Sequence, residues 1–378
     1  MAIVDAKIRD EFIRETGVKD HESVLVGMSG GVDSSVAAMV LMSAHLETSG
    51  ITLKLFDADN SHIPASKIAA ARKDAQDAEN VCETLGISHE VYSYAKNFTH
   101  DVVENFCNGY LLGLTPNPCI DCNRYVKFHA LNIRRKDRSL TYLATGHYAR
   151  RTYDEQLDRY LLKTGKDLDK DQSYVLFHLT QADLAHTLFP LGGLSKADVR
   201  NIASQAGLVN ASKEESQDIC FIPDGNYANL IKAYTGKSFS PGPIVDTSGT
   251  VLGEHHGLAA YTIGQRKGIG IASSEPLYVC GKDTVHNTLI VGKKSESIRK
   301  SITVKRVNFI SVPELKNPLH CLVKTHYRHK GSMATVTQID DDTVEISFDV
   351  ADAACAPGQA AVFYQGEIVV GGGTITTA

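Results

Sequence analysis

The run Gly27-Met28-Ser29-Gly30-Gly31-Val32-Asp33-Ser34-Ser35 directly follows the apolar stretch Ser23-Val24-Leu25-Val26 and precedes an apolar segment from Val36 to Leu46. An apolar strand, a glycine-rich turn and an apolar helix together make a phosphate cradle. Glycine lets the backbone come close to an anion, and the new helix offers unpaired N–H groups and its positive dipole end. The run lacks the Gly-Lys-Ser/Thr ending of a Walker loop and the G-x-G-x-x-G spacing of a dinucleotide site.

The segments around this loop alternate in period. Strands are expected at Ser23–Met28, Ile51–Phe56, Ile87–Tyr94 and Tyr142–Thr145. Helices are expected at Ser34–Leu46, Ser66–Leu85, Asn97–Leu112 and Arg124–Arg135, with a Pro-rich loop at Thr115–Pro118. That order predicts an α/β domain with a mostly parallel sheet, whose ligands bind at the carboxyl ends of the strands. The Ser29–Ser34 loop and the Thr145-Gly146-His147 turn both follow strands, so both can face one crevice. A helix at Ser195–Ala206 ends at Gly207, and the polar run Ser212–Asp218 follows. After a helical piece at Tyr227–Tyr234, the pattern becomes β-like with frequent turns. Expected strands are Ser301–Ile310, Cys321–His326, Met333–Ile339, Thr343–Phe348, Ala360–Tyr364 and Glu367–Gly371. Short strands at this spacing predict one or two small barrels. Three domains are expected: 1–215, 216–288 and 289–378.

A chain of 378 residues can build several cores. No stretch approaches the roughly 18 apolar residues of a membrane span, and the N-terminus lacks the charged and apolar regions of a signal peptide. A net charge of −5 argues against indiscriminate nucleic-acid binding but leaves room for local basic surfaces. Arg134-Arg135-Lys136, Arg150-Arg151, Arg266-Lys267 and Arg328-His329-Lys330 are the candidate clusters; each alone reads as a solvated face. Eight cysteines in a chain of this length point to a reducing cytoplasm and to chemistry or metal binding rather than structural disulfides.

Two cysteine segments stand out. Cys119 and Cys122 lie in Asn117-Pro118-Cys119-Ile120-Asp121-Cys122-Asn123-Arg124, at the start of a helix, where the dipole favours thiolate. Cys220 stands between the polar run and Phe221-Ile222-Pro223. Three readings stay open: a sulfur relay between Cys122 and Cys220, an iron–sulfur site on Cys119, Cys122 and Cys220, or an inert buried pair. A closed zinc site wants four ligands, and no second C-x-x-C is present. Cys82, Cys107, Cys280, Cys321 and Cys355 fall in regular helical or strand patterns and read as core residues.

Ser-Gly-Gly-x-Asp-Ser resembles the pyrophosphate loop of enzymes that cleave ATP to AMP and pyrophosphate. With the cysteine segments added, nearly the whole chain resembles the tRNA-specific 2-thiouridylases. The motifs that carry the likeness include Thr115-Pro116-Asn117-Pro118 with Cys122-Asn123 and Lys127-Phe128, Ala144-Thr145-Gly146-His147-Tyr148, and Lys170-Asp171-Gln172-Ser173-Tyr174. They continue with Ile219-Cys220-Phe221-Ile222, Tyr261 to Gly268, and Pro357-Gly358-Gln359.

The resemblance implies a pyrophosphatase-type α/β domain, a small central β domain and a C-terminal β-barrel. It implies that Ser29, Gly30, Gly31, Asp33 and Ser34 hold ATP phosphates with Mg2+, and that Gly27, Met28, Val32, Leu53 and Gly146 complete the nucleotide site. Asn117, Pro118 and Cys119 would line the target base. Cys122 would be the nucleophile and Cys220 the persulfide carrier. His147, Lys170, Asp171, Gln172, His326, Tyr327 and Gln359 would contact the tRNA anticodon stem-loop. A sulfur-donor relay protein would be a partner of a monomeric enzyme. Many members carry Asp where this chain has Cys119, which puts an acid/base role at that position in doubt and brings the iron–sulfur alternative forward. His326 stands where arginine is common, which weakens a phosphate contact.

The implied chemistry starts from a poor leaving group, the uracil carbonyl oxygen. AMP attached to it makes it a good one, and the Cys220 persulfide then delivers sulfur directly or through sulfide freed by Cys122. ATP-dependent amide ligases share the loop but leave both cysteine segments unexplained. A non-catalytic RNA-binding scaffold leaves Ser29, Asp33 and Ser34 unexplained.

Overall fold

A computed structural model describes residues 4–376 except 58–62, 209, 212, 214–218, 223–226, 238 and 353–354. Strands β1 (Ser23–Gly27), β2 (Glu47–Lys54), β3 (His89–Ser93) and β4 (Tyr142–Ala144) form a parallel sheet. A two-residue strand, introduced below as β7, completes it at the β4 edge. In β1, Val24 and Val26 pack with Val36 and Val40 on one face, while Leu25 packs with Leu131 and Leu143 on the other. A strand covered on both faces must be apolar throughout, which is why Val24-Leu25-Val26 reads as an unbroken apolar run.

After β4 the chain makes a hairpin, β5 (Ala149–Asp154) and β6 (Arg159–Thr164), and then returns as β7 (Thr187–Leu188). The parallel sheet has the order β3-β2-β1-β4-β7. The order reverses between β1 and β4, and a crevice opens at that point.

A second sheet has β8 (Gly242–Val245), β9 (Val251–His255), β10 (Tyr278–Asp283) and β11 (Thr288–Gly292), in the order β10-β11-β8-β9. The expected break at 215 lies outside the described residues, as does most of the polar run Ser212–Asp218. The expected break at 288 falls at the start of β11. Pairing with β10 and β8 keeps that strand in the central sheet, so the chain leaves this sheet after Gly292.

The last six strands are β12 (Arg299–Phe309), β13 (Leu319–Lys324), β14 (Ser332–Gln338), β15 (Thr343–Asp352), β16 (Ala360–Gln365) and β17 (Ile368–Ile375). They run antiparallel in the order β12-β15-β14-β13-β16-β17, and β12 pairs back to β17 to close a barrel. Val344, Ile346 and Phe348 alternate inward on β15, opposite Ala334 and Val336 of β14. Closure removes the edges that an open sheet would expose. The hairpin β5–β6 docks on the outside of this barrel through Ile368 and Lys163.

Two helices differ from expectation. The segment expected as one helix from Asn97 is Ala95–Phe98, a π-helical stretch Thr99–Glu104, and Asn105–Leu111. The helix expected at Arg124 begins at Pro118 and contains a π turn at Cys122–Lys127. Asn117 caps it, its side-chain oxygen accepting from the Cys119 N–H at 3.1 Å, and Pro118 occupies the first position, where no N–H partner is needed.

Two basic clusters are not solvated faces. Arg151 is buried against the Tyr142 and Tyr160 rings, 5.9 and 4.5 Å from their centroids. Arg135 is buried and donates to the Leu140 carbonyl at 3.0 Å. No helix among the described residues is long and apolar enough to cross a membrane.

Candidate active site

The glycine-rich loop leaves β1 and enters the helix Val32–Ser43. Ser34 ties it together: its hydroxyl accepts from the Ser29 N–H at 3.1 Å and donates to the Gly31 carbonyl at 3.1 Å. Gly30 has φ +71°, and a Cβ there would meet the Asp74 carbonyl oxygen at 2.1 Å. Only glycine fits both that conformation and that contact. From outside, Asn210 and Lys213 each donate to the Gly30 carbonyl at 3.1 Å, and Lys213 also pairs with Asp74 and Asp77 at 2.7 Å. The cradle is therefore braced before any anion arrives.

Asp33 stands in the first turn of the helix. Its Oδ1 accepts from the Tyr148 hydroxyl at 2.9 Å and from Lys196 Nζ at 2.7 Å. Tyr148 belongs to the motif Ala144–Tyr148, whereas nothing in the sequence assigns Lys196 to the site. Lys196 opens the helix Lys196–Gln205, which the Ser195–Asp198 capping box fixes. The only sequence signal for it was a capped helix start.

A cavity of about 420 Å³ lies over this loop. Its floor is Gly27, Met28, Ser29, Asp33 and Ser34; Leu53 of β2 and Gly146 after β4 form its sides. A Cβ at Gly146 would stand 3.0 Å from the Ser34 N–H nitrogen, so the second turn lies hard against the helix start. His147 and Gln172, expected at tRNA, line this same cavity. His147 accepts or donates at Thr145 Oγ1 (2.8 Å), and burial, with the Lys127 charge beside it, pushes its pKa down to about 3. It is neutral at working pH. Gln172 holds the backbone: its Oε1 accepts from the Tyr148 N–H at 3.0 Å.

Cys220 lines the cavity as well. Cys119 and Cys220 each expose surface, Cys122 is buried, and all eight cysteines are free. Cys119 and Cys122 both lie close enough to Cys220 to disfavour its ionisation. The expectation of ready thiolates at the helix start is corrected here. At Cys122 burial outweighs the dipole and pushes the thiol up to about 11, while the protein packed around the partly exposed Cys119 and Cys220 raises those thiols too. The alkylation rate of Cys122 should therefore climb about tenfold per pH unit from pH 7 to 10, measured by mass spectrometry of iodoacetamide-treated protein. A plateau below pH 9 would contradict this. Among the described residues, no group of three His, Cys, Asp or Glu side chains is placed to hold a metal ion. Nothing in this arrangement favours an iron–sulfur cluster on Cys119, Cys122 and Cys220. Cys82, Cys107, Cys280, Cys321 and Cys355 are buried core residues.

The remaining predicted residues lie elsewhere. Gln359 donates from Nε2 to the Thr115 carbonyl at 2.9 Å, and the Thr115 N–H donates to the Pro357 carbonyl at 2.8 Å. The barrel thus grips both backbone groups of the residue two positions before Asn117. Gln359→Leu should lower kcat between about ten- and a hundredfold by loosening that loop. A rise in KM for the substrate with kcat unchanged would mean a substrate contact instead.

Asp171 also turns inward, accepting from the Gly165 and Ser173 N–H groups at 3.0 and 3.1 Å and from the Ser173 hydroxyl. Lys170 beside it is half-buried. Asp171 and Tyr327 line a separate groove of about 1040 Å³, with Arg150, Lys166, Lys324, Arg328 and Lys330 as its cations. His326 stacks on His329 at 5.3 Å, and burial lowers its pKa, so it carries no charge at neutral pH.

Three family models match in series. The tRNA methyl transferase HUP domain matches residues 22–224, the tRNA methyl transferase PRC-barrel domain 228–293 and the aminomethyltransferase beta-barrel domain 299–375. A protein named tRNA-specific 2-thiouridylase MnmA from Moorella thermoacetica is 44% identical over 351 residues, covering 93% of this chain and 98% of that one. One of the same name from Acetivibrio thermocellus is 42% identical over 355 residues, covering 94% and 99%. Among solved structures, the U34-tRNA thiolase NcsA from Methanococcus maripaludis is similar over 61% of this chain and 70% of its own, at 18% identity and a TM-score of 0.36. That likeness is too low to bear on the site. With full-length relatives at this identity, the chain belongs to the tRNA-specific 2-thiouridylase family.

Proposed function

We propose that this crevice carries out ATP-dependent 2-thiolation of the wobble uridine of tRNA, with Cys220 as the persulfide carrier. The observation that supports it most is that Cys220 shares one cavity with the glycine loop. Activation of the base and delivery of sulfur then need only one crevice.

In this reading the loop from Gly27 to Ser34 holds the ATP phosphates, with Leu53 and Gly146 flanking the nucleoside. Loop N–H groups and the helix N-terminus stabilise charge on the departing pyrophosphate. Magnesium would be held by the ATP phosphates and Asp33, and would neutralise that charge further. Asn117, Pro118 and Cys119 line the target base, which leaves its stack to enter the crevice. AMP is attached to the base carbonyl oxygen. Sulfur from Cys220 replaces that oxygen, AMP leaves, and a Cys122–Cys220 disulfide remains to be reduced. No step is routed through an iron–sulfur cluster.

Lys170 and the His326-Tyr327 pair stand for the tRNA contacts outside the crevice. Asp171 and Gln359 act there as positioning residues, and His147 and Gln172 as walls of the nucleotide site. Cys220 exposes surface, so a sulfur-donor protein can recharge it. The need for a reductant each turnover fits work in a reducing cytoplasm.

The test is an assay of unmodified tRNA with ATP, a sulfide source and reductant, scored for 2-thiouridine by nucleoside mass spectrometry. Product that depends on ATP supports the proposal. Pyrophosphate release driven by ammonia or an amino acid, without tRNA, would replace it with an amide ligase.

A further inference from the structure

Lys127 has no role so far. It lies five residues after Cys122, at the other end of the π turn Cys122–Lys127. The i to i+5 bonding of a π turn brings these ends near one another on the helix, whereas 3.6 residues per turn would rotate them about 140° apart. Lys127 also lines the cavity that holds Ser29, Asp33, His147 and Cys220. Among the described residues no carboxylate pairs with its ammonium. A half-buried cation without a carboxylate partner, in the same cavity as the Cys220 thiol, is suited to an anion formed during the reaction.

We propose that Lys127 supplies the positive charge that favours the minor, attacking thiolate form of Cys122 and steadies the sulfur anion it releases. This rests on the persulfide reading above. Cys122 gives its proton to water. Its thiolate attacks Sγ of the Cys220 persulfide, and a Cys122–Cys220 bond forms as the persulfide bond breaks. The electron pair of the broken bond leaves on the terminal sulfur as hydrosulfide, which displaces the AMP-bearing oxygen at the base carbon. One negative charge passes from Cys122 to the departing sulfur, and Lys127 stays beside it throughout.

The electrostatics around the thiols agree. Lys127 is the leading group that favours the thiolate at Cys119 and Cys122, and it acts on Cys220 together with Lys67. Asp121 opposes it at Cys119 and Cys122, and is itself offset by Arg306 and Arg124. His147 and His178 are held neutral by burial and add no charge.

The experiment uses the reduced full chain without tRNA or persulfide, so its outcome is separate from that of the thiolation assay. Iodoacetamide modification of Cys122 is followed by peptide mass spectrometry from pH 7 to 10, and magnesium ATP binding is measured alongside. Lys127→Met and Lys127→Gln should slow modification of Cys122 about tenfold at a given pH, the effect of losing one nearby charge. Lys127→Arg should restore most of the rate, and ATP affinity should stay within about twofold. Equal rates in wild type and both neutral variants would overturn the proposal. Lost ATP affinity with unchanged thiol rates would make Lys127 a phosphate ligand and overturn it equally.

Discussion

Cys220→Ser should cut tRNA thiolation by on the order of a thousandfold or more while leaving magnesium ATP binding within about twofold. Serine differs little in size, so the cavity wall that Cys220 contributes is kept. Its hydroxyl carries no persulfide, so transfer loses its donor while the nucleotide floor of Ser29, Asp33 and Ser34 stays intact. Nucleoside mass spectrometry and equilibrium dialysis read the two quantities. Full thiolation by Cys220→Ser would remove the persulfide route. Loss of ATP binding as well would mean that the residue is structural.

The second large effect is at Gly30. An alanine there meets the Asp74 carbonyl oxygen at 2.1 Å in a left-handed backbone of φ +71°. Backbone cannot give way as a flexible side chain can. Strain and overpacking together should cost about 3 kcal/mol or more. Relief would come by moving the loop away from Asp74 and Lys213, which opens the cradle. Chemical denaturation and ATP titration of Gly30→Ala should show both lower stability and lost ATP affinity. Wild-type affinity would mean that the loop tolerates a side chain and is not held as described.

The parts of the fold legible in the sequence are those written in short stretches of chain. The strand, loop and helix from Ser23 to Ser43 is one, because the apolar run, glycines and helix start lie within about 20 residues of each other. The six barrel strands are another, since period-two patterns such as Val344, Ile346 and Phe348 need no distant information. What was not legible depends on pairing across the chain. Lys196 meets Asp33 from 163 residues away, and Gln359 meets Thr115 from 244. The hairpin β5–β6 carries Arg150-Arg151, which reads as solvated until the Tyr142 and Tyr160 rings close over Arg151. The π turn at Cys122–Lys127 escaped because its residues suit an α-helix equally well. The raised cysteine pKa values depend on packing in the same way that the distant pairings do. A helix start is visible in sequence, but the packing that buries Cys122 is not.

The most direct test of the central claim is a single turnover. Protein carrying radiolabelled persulfide on Cys220 would be mixed with unmodified tRNA and magnesium ATP, with no other sulfur source. The account predicts labelled 2-thiouridine, AMP in equal amount, and a Cys122–Cys220 disulfide in the quenched protein. Label that remains on the protein while ATP is consumed, or labelled 2-thiouridine with Cys122 still reduced, would contradict it.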